Sequence, residues 1–550
     1  MDRRLVFLRY TPTRQVLRRL WLRGRQAITA RLSDSPLEPI SGERLRPIVL
    51  TGLRSPHGTL QRSDDGWTGT FLNDTRTIDN PIRWDTGSSD SRSQLWRMNL
   101  HYFEYIHDLE PSVAKALILD WIMSNRPFAP NAFRAAWAPY TISLRLSAWL
   151  DWWSSGGDQL FDHDDAAMVA ASVREQANHL LVHIETDVRG NHLIKNIRAL
   201  IECSQALPCR DSKHWNLVAL SHLNRELPIQ ILDDGGHFER SLSYHAQVFA
   251  DLLSVYGNID KPPAVLRKAL ERMAAPLADL WHPDGGPVQM NDSGLAMAVR
   301  ADDAIRAYAD LLGAPPPKVS QVFSYSDAGF FGARRDSNYV LVKMGPLGPD
   351  ALMAHAHGDW GTLEFSRGEQ RVFVDQGVFE YVDGDKRHRS RSTASHNTAT
   401  IDGAEQADFF GAFRCGARPH PEAARFVETA QGFELAGRIK SAPGRSVHER
   451  RIIVDSDGLR IVDCSGRQHA SVASRLLLHP DVSAHHPKKS EMQLSLPSGE
   501  TLLIEALQGE MSIEPAVWWP DMGIEFATAR LIVHGKGRTE IVVRPHTALG

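Results

Sequence analysis

Gly313-Ala314-Pro315-Pro316-Pro317-Lys318 is the seam of this chain, because the periodicity differs on its two sides. Upstream, from Trp96, apolar residues recur every three or four positions. They do so in Val113–Asn125, Tyr140–Trp153, Asp165–Asp187, His192–Ala206, Tyr244–Tyr256 and Pro263–Trp281. That spacing builds one apolar helix face. The connections WSSGGD, VRGN, LDDGGH and HPDGGP carry Gly, Pro or Asp, so the pattern predicts stacked helical hairpins. No fixed-period repeat marks them as near-identical solenoid units. Downstream of the seam, short β-prone runs take over at Tyr339–Lys343, Gly361–Phe365, Arg371–Val374, Thr398–Ile401, Arg450–Val454, Leu459–Asp463, Thr501–Ala506 and Leu531–Val533. Turn signals such as VDSDG and LPSGE separate many of them, which predicts an antiparallel β-sandwich. The expected organisation is an N-terminal extension with a basic helix (1–95), a helical domain (96–320) and a β-sandwich (321–550). A ligand cleft is expected between the last two. Within the extension, Asp85–Arg92 (DTGSSDSR) reads as a loop.

The chain has 550 residues, too many for one ordinary core. Lys and Arg total 62 against 66 for Asp and Glu, so no global charge recommends nucleic acid as a partner. Four cysteines without a CxxC pair read as free thiols rather than a disulfide framework. The only apolar run near the start, Leu5–Leu8, stops at Arg9, too short for a secretory signal. The expected location is therefore cytoplasmic, with periplasmic as the alternative. Arg14, Arg18, Arg19, Arg23 and Arg25 interleave with Val16, Leu17, Leu20, Trp21 and Leu22. This mixture suits either an amphipathic helix on an anionic membrane or a solvated helix packed on the body. The oligomeric state is not legible.

Four islands concentrate groups able to do chemistry. They are Gly190-Asn191-His192, the turn Asp234–His245 (DGGHFERSLSYH), Ala354–Asp359 (AHAHGD), and Arg391–Thr398 (RSTASHNT) behind the basic cluster Lys386–Arg389. Each alone has a bland account. Asn191 is a good N-cap, a Tyr–His pair at a helix start is usually packing, and a charge cluster is usually a solvated face.

Together they resemble one family. GNHLIKNIRALI, DGGHFERSLSYHAQV, HAHGDWGTLEFSRGEQRVFVDQGVFEY and RSTASHNT, in this order between about Trp96 and Pro480, are similar to the heparinase II/III-like polysaccharide lyases and their alginate-lyase relatives. The resemblance implies an (α/α) toroid followed by an antiparallel β-sandwich. It also implies cleavage of a uronic-acid polysaccharide by β-elimination. Removing the C5 proton builds negative charge on the neighbouring carboxylate, which donors must neutralise. A base must reach C5 and an acid must protonate O4. By resemblance, Asn191 and His192 bind the carboxylate, while Tyr244 and His355 are the acid/base pair, the assignment depending on the C5 configuration. A phenol needs nearby positive charge to ionise, and Arg240 is the expected source. Trp137, Arg145, Glu239, Arg240 and Arg391 are expected along an acidic sugar chain. His357, Asp375 and His396 match a metal site whose residue types suit Zn²⁺, expected to pin the loop carrying His355. Two alternatives stay open: a uronate C5-epimerase of the same fold acting in polysaccharide assembly, and a non-catalytic glycan-binding protein.

Overall fold

The computed structural model describes residues 2–29, 37, 44–63, 66–84, 94–127, 132–335, 337–456, 458–488 and 490–546. The loop expected at Asp85–Arg92 lies outside them.

Two helices open the chain, α1 (Arg3–Tyr10) and α2 (Thr13–Thr29), followed by a three-stranded antiparallel meander, β1 (Thr59–Ser63), β2 (Gly66–Phe71) and β3 (Asp74–Ile78). The helical domain then runs through α3 (Gln94–Tyr102), α4 (Pro111–Ser124), α5 (Pro139–Ser154), α6 (His163–His183), α7 (Gly190–Ala206), α8 (Ser212–Gln230), α9 (Leu242–Gly257), α10 (Ala264–Asp279) and α11 (Ala301–Leu312). Their packing has a simple rule. Each odd-numbered helix touches the next odd one, α3 to α5 to α7 to α9 to α11, and α4, α6, α8 and α10 form a second series outside them. Consecutive hairpins thus place one helix inside and one outside, the layered ring of an (α/α) toroid. Burial follows position. The inner α5 and α7 are buried around most of their circumference, whereas the outer α8 buries only a stripe including Trp215, Ala219, Leu223 and Leu227. Starts are fixed locally: the Asp162 carboxylate accepts from Asp165 N (2.9 Å) at α6, and Ser241 Oγ from Tyr244 N (3.3 Å) at α9.

Antiparallel sheets follow the seam. The first, β4 (Val322–Tyr325), β5 (Phe330–Arg335), β6 (Asn338–Lys343), β7 (Leu363–Arg367) and β8 (Gln370–Phe373), leans on the toroid. The Tyr325 hydroxyl donates to Asp279 at 2.6 Å, and His282 Nε2 shares a hydrogen bond with the Glu364 carboxyl at 2.8 Å. A short helix α12 (Asp385–Arg391) and strands β9 (Ala399–Ile401), β10 (Phe409–Phe410) and β11 (Arg414–Cys415) lead onward. They reach an eight-stranded sheet between Arg425 and Pro545, which packs with a four-stranded sheet that contains β9. Strand Val447–Asp455 alternates buried and open side chains, as a half-buried strand must. One apolar cluster runs from the helices into Phe323, Tyr325, Phe330, Tyr339 and Leu341, while a second fills the sandwich. The toroid core therefore continues into the first sheet, which holds the two domains together. Among the described residues no helix is long and apolar enough to cross a membrane.

The eight expected β-runs fall on observed strands, and the six expected helical stretches on α4, α5, α6, α7, α9 and α10. The pattern did not single out the meander, α3, α8, α11, α12 or the remaining strands after the seam, β4, β5, β10 and β11 among them. Strand β1 is mostly exposed and polar, so its sequence lacks the alternation that announces a strand.

Candidate active site

Five backbone stretches converge where the toroid meets the first sheet: the start of α7, the turn into α9, the loop Asn291–Ser293, and the segments 354–359 and 375–391.

At α7 the chain turns sharply. Arg189 and Gly190 both take positive φ (66° and 58°). A side chain at Gly190 would collide with Glu239, whose Oε1 lies 1.9 Å from where a Cβ would sit, so only glycine fits. Glu239 uses that closeness. Its carboxylate accepts from Asn191 N (2.8 Å) and from Asn191 Nδ2 (3.0 and 3.3 Å), leaving Asn191 Oδ1 buried without a partner. One Asn191 amide proton is thus shared between the Glu239 oxygens, which leaves the other for the role expected of this residue. His192 is partly open, stacks against Tyr140 (centroids 4.3 Å) and gives its Nδ1–H to Glu185 at 3.0 Å. Burial works against its charge, but the Glu185 carboxylate outweighs burial and raises the His192 pKa above its ordinary value.

Tyr244 and His355 come together, their ring centroids 4.1 Å apart. The Tyr244 hydroxyl lies 2.9 Å from the Tyr381 hydroxyl, a residue 137 positions later. Burial, then Tyr381 and Asp292, push the Tyr244 pKa well above 10, so the phenol stays protonated through the neutral range. His355 Nδ1–H donates to Asp292 Oδ2 (2.9 Å), which fixes the tautomer because an ionised carboxylate only accepts. Its Nε2 has Glu239 Oε2 3.5 Å away.

Asp292 is the hub. Besides His355 it accepts from His357 Nε2 (2.8 Å) and from both terminal nitrogens of Arg387 (2.5 and 2.9 Å), with no exposed surface of its own. Burial would raise its pKa, but the Arg387 charge and the two imidazoles hold it well below the usual carboxylate range. Asn291, at φ 58°, locks the same corner: its amide donates to the Arg240 and Leu347 carbonyls, and its Oδ1 accepts from Lys343 Nζ (2.6 Å) and His357 N (3.0 Å). Lys343 is neutralised by Asp359 (2.6 Å).

The expected sugar contacts need correcting. Trp137 and Arg145 are core residues. The Arg145 guanidinium lies 3.8 Å over Trp121 and donates to Gln176 and the His101 carbonyl, so neither side chain reaches a groove. Arg391 is also buried, donating to the Met353, Ala356 and Ala412 carbonyls, and so braces the loop that carries His355. Glu239 is buried between Asn191 and His355. Arg240 bonds the Phe238 and Asp327 carbonyls rather than approaching Tyr244. The charge that does approach is Arg387, over the Tyr381 ring at 4.9 Å. The cluster Lys386–Arg391 is thus half interior, because Arg387 and Arg391 turn inward to Asp292 and the 353–356 loop.

The suspected metal residues lie close by. His396 Nδ1–H donates to Asp375 (2.9 Å), and the rings of His357 and His396 are 5.3 Å apart. His357 Nδ1 and His396 Nε2 are both buried and without a partner, two vacant imidazole donors in one neighbourhood. That fits a soft-to-borderline cation. Among the described residues no group of three metal-binding side chains converges on one point.

The models of known families match nearly end to end. The heparinase II/III N-terminus pattern matches residues 70–314, and the heparinase II/III-like C-terminal pattern matches 317–545. A heparin-sulfate lyase of Pedobacter heparinus is 28% identical over 262 residues, 42% of this chain and 38% of that protein. A heparin-sulfate lyase of Bacteroides stercoris is 26% identical over 243 residues, 39% of this chain and 36% of that protein. In each case the matched stretch spans well under half of the relative's length. A crystal structure of heparinase III superposes with a TM-score of 0.70 at 17% identity, covering 84% of this chain and 79% of that one, which establishes the shared toroid and sandwich.

Proposed function

The chain belongs to the heparinase II/III-like family, and on that premise we propose that it is a polysaccharide lyase acting on a uronic-acid polymer of the glycosaminoglycan type. The observation that carries this reading is the pairing of a protonated phenol, Tyr244, with an imidazole of fixed tautomer, His355, at 4.1 Å. A pure binder needs no acid and base in one corner. The names of the two relatives, both heparin-sulfate lyases, support the substrate class.

In this proposal His192 supplies the charge that quenches the developing carboxylate, because Glu185 favours its protonated form. Asn191 is held by Glu239 and lines the same wall. His355, oriented by Asp292, takes the C5 proton at Nε2. Tyr244, already protonated, donates to O4 as the glycosidic bond breaks, and Tyr381 and water can restore its proton. This division of roles follows from the proton that burial keeps on Tyr244 and from the Asp292 bond that turns His355 Nδ1 inward, and it leaves a double bond between C4 and C5. The test is incubation with a panel of uronate polysaccharides, followed at the absorbance of the 4,5-unsaturated product. No chromophore on any member, with solvent deuterium entering C5 of an uncleaved polymer, would replace the lyase with an epimerase.

The vacant His357 Nδ1 and His396 Nε2 also support a Zn²⁺ held by these two histidines, with Asp375, now bonded to His396, as the third ligand once it turns to the metal, which would pin the loop carrying His355. Elemental analysis should then find about one equivalent per chain. His396→Ala should lower metal content and melting temperature together, since metal binding couples to folding. Full occupancy in that variant would reject the assignment.

A further inference from the structure

We propose that α1 and α2 form a docking face for an anionic lipid surface, seating the protein peripherally on a membrane. From Arg3 to Thr29 the chain carries eight arginines and no acidic residue, although its overall charge is −4. An anionic surface is therefore attracted to this face.

The helices are fixed to the body by one side only. On α2, Gln15 is buried, Arg18 donates to the Val182 and Ile184 carbonyls at the end of α6, and Arg19 pairs with Asp187 (3.1 Å). On α1, Phe7 packs edge-on against Phe410, and Tyr10 lies under Arg418 (4.0 Å). The opposite side is apolar and open. Leu17, Leu20, Trp21 and Ile28 are 61%, 57%, 47% and 66% exposed. Their spacing of three, one and seven positions places them on one stripe of the helix. On α1, Leu5 and Leu8 are each more than half exposed. Arg14 and Arg25 border the stripe on one edge and Arg23 on the other, all of them exposed. Trp21 lies between two guanidinium groups, Arg18 at 4.6 Å and Arg25 at 5.6 Å. An apolar strip bordered by arginines that can reach phosphates is the pattern of a helix lying in a membrane interface. An acidic polysaccharide would answer the arginines but leave the leucines and isoleucine in water. A second copy would cover the apolar strip but set its bordering arginines Arg14, Arg23 and Arg25 against their own copies.

The full-length protein should co-sediment with vesicles of phosphatidylcholine mixed with phosphatidylglycerol at least about a hundredfold better than with phosphatidylcholine alone. Added salt should weaken that preference. The combined substitution Leu17→Ser, Leu20→Ser, Trp21→Ser should reduce partitioning at least about tenfold, as expected for exposing less apolar surface to the interface. Its melting temperature should stay unchanged, because these side chains face away from the body. Brominated lipids should quench tryptophan fluorescence, and Trp21→Phe should remove that quenching. The proposal is overturned if the triple-serine variant sediments like the unmodified protein, or if neither vesicle binds the unmodified protein. It is equally overturned if vesicle binding is absent while arginine-dependent binding to heparin persists, or while a concentration-dependent dimer is broken by the triple substitution.

Discussion

Tyr244→Phe lowers turnover by at least about a hundredfold, the usual scale for a general acid or base, while the protein stays folded. The substitution removes one oxygen and leaves the ring in place. That oxygen makes one described hydrogen bond, to the Tyr381 hydroxyl, and Tyr381 keeps the option of water. Packing against His355 is a ring contact and survives. The Michaelis constant should change little, because in the proposed mechanism the phenol acts on O4 as the bond breaks rather than on the resting sugar. The pH dependence follows from the direction of the shift. Burial first, and then Tyr381 and Asp292, raise the Tyr244 pKa, so its proton is present throughout the neutral range and is lost only as pH rises through the raised value. Any alkaline fall in turnover near neutrality must therefore come from another group. Measuring kcat, KM and the melting curve of Tyr244→Phe side by side decides the matter. Near-normal turnover on a polymer the unmodified protein cleaves would show that another group protonates O4.

Much of this site was readable in the chain, and the unread part has a common cause. Asn191, His192, Tyr244 and His355 were singled out because the polar islands that hold them together resemble the motifs of one family; each island alone had a bland account. Asp292 was not singled out. It follows Met290 and Asn291 in a loop with no periodicity, and its partners His355 and Arg387 are 63 and 95 positions away. Nothing local marks a carboxylate whose neighbours come from another domain. Tyr381 closed one of the motifs, FEY, yet a lone tyrosine after an aromatic reads as packing until its hydroxyl is seen 2.9 Å from Tyr244. Arginines misled for the reverse reason. In a sequence Arg145, Arg387 and Arg391 look like surface charge for an anionic ligand. In the fold each is buried, because a guanidinium with five donors can satisfy several carbonyls or one carboxylate at once. Charge shows that a residue needs partners; it does not show whether they are water, substrate or backbone. The fold class was the easier inference, since period and turn chemistry are local properties. The meander β1–β3 and helix α8 escaped where exposed polar side chains diluted that local signal.

Asp292→Asn should be the most damaging single substitution in this protein, and its two effects can be separated. The wild-type carboxylate accepts four hydrogen bonds, one from each of two imidazoles and two from Arg387. An amide offers one accepting oxygen and two donors, so at least one imidazole N–H or one guanidinium N–H must face another donor. The Arg387 charge, with no exposed surface, loses its counter-ion, and breaking a buried pair on one side costs about 3–5 kcal/mol. A marked drop in melting temperature is the first expectation. The second concerns His355. Without an anionic acceptor at Nδ1 the ring is free to turn or to take the other tautomer, which places a proton on the Nε2 that must receive one. In hydrolases that rely on a carboxylate to orient a histidine, the same exchange of Asp for Asn costs about ten-thousandfold in turnover, and a loss of about a thousandfold or more is expected here. Stability alone cannot mimic this, because kcat is measured well below the new melting point on folded protein. The double variant Asp292→Asn, Arg387→Met makes the separation explicit. Removing the stranded guanidinium should return part of the lost stability, while turnover stays low because His355 still lacks its acceptor. If Asp292→Asn melts early yet retains turnover within a few-fold of normal, Asp292 is a structural anchor for Arg387 only, and the orientation of His355 must come from elsewhere.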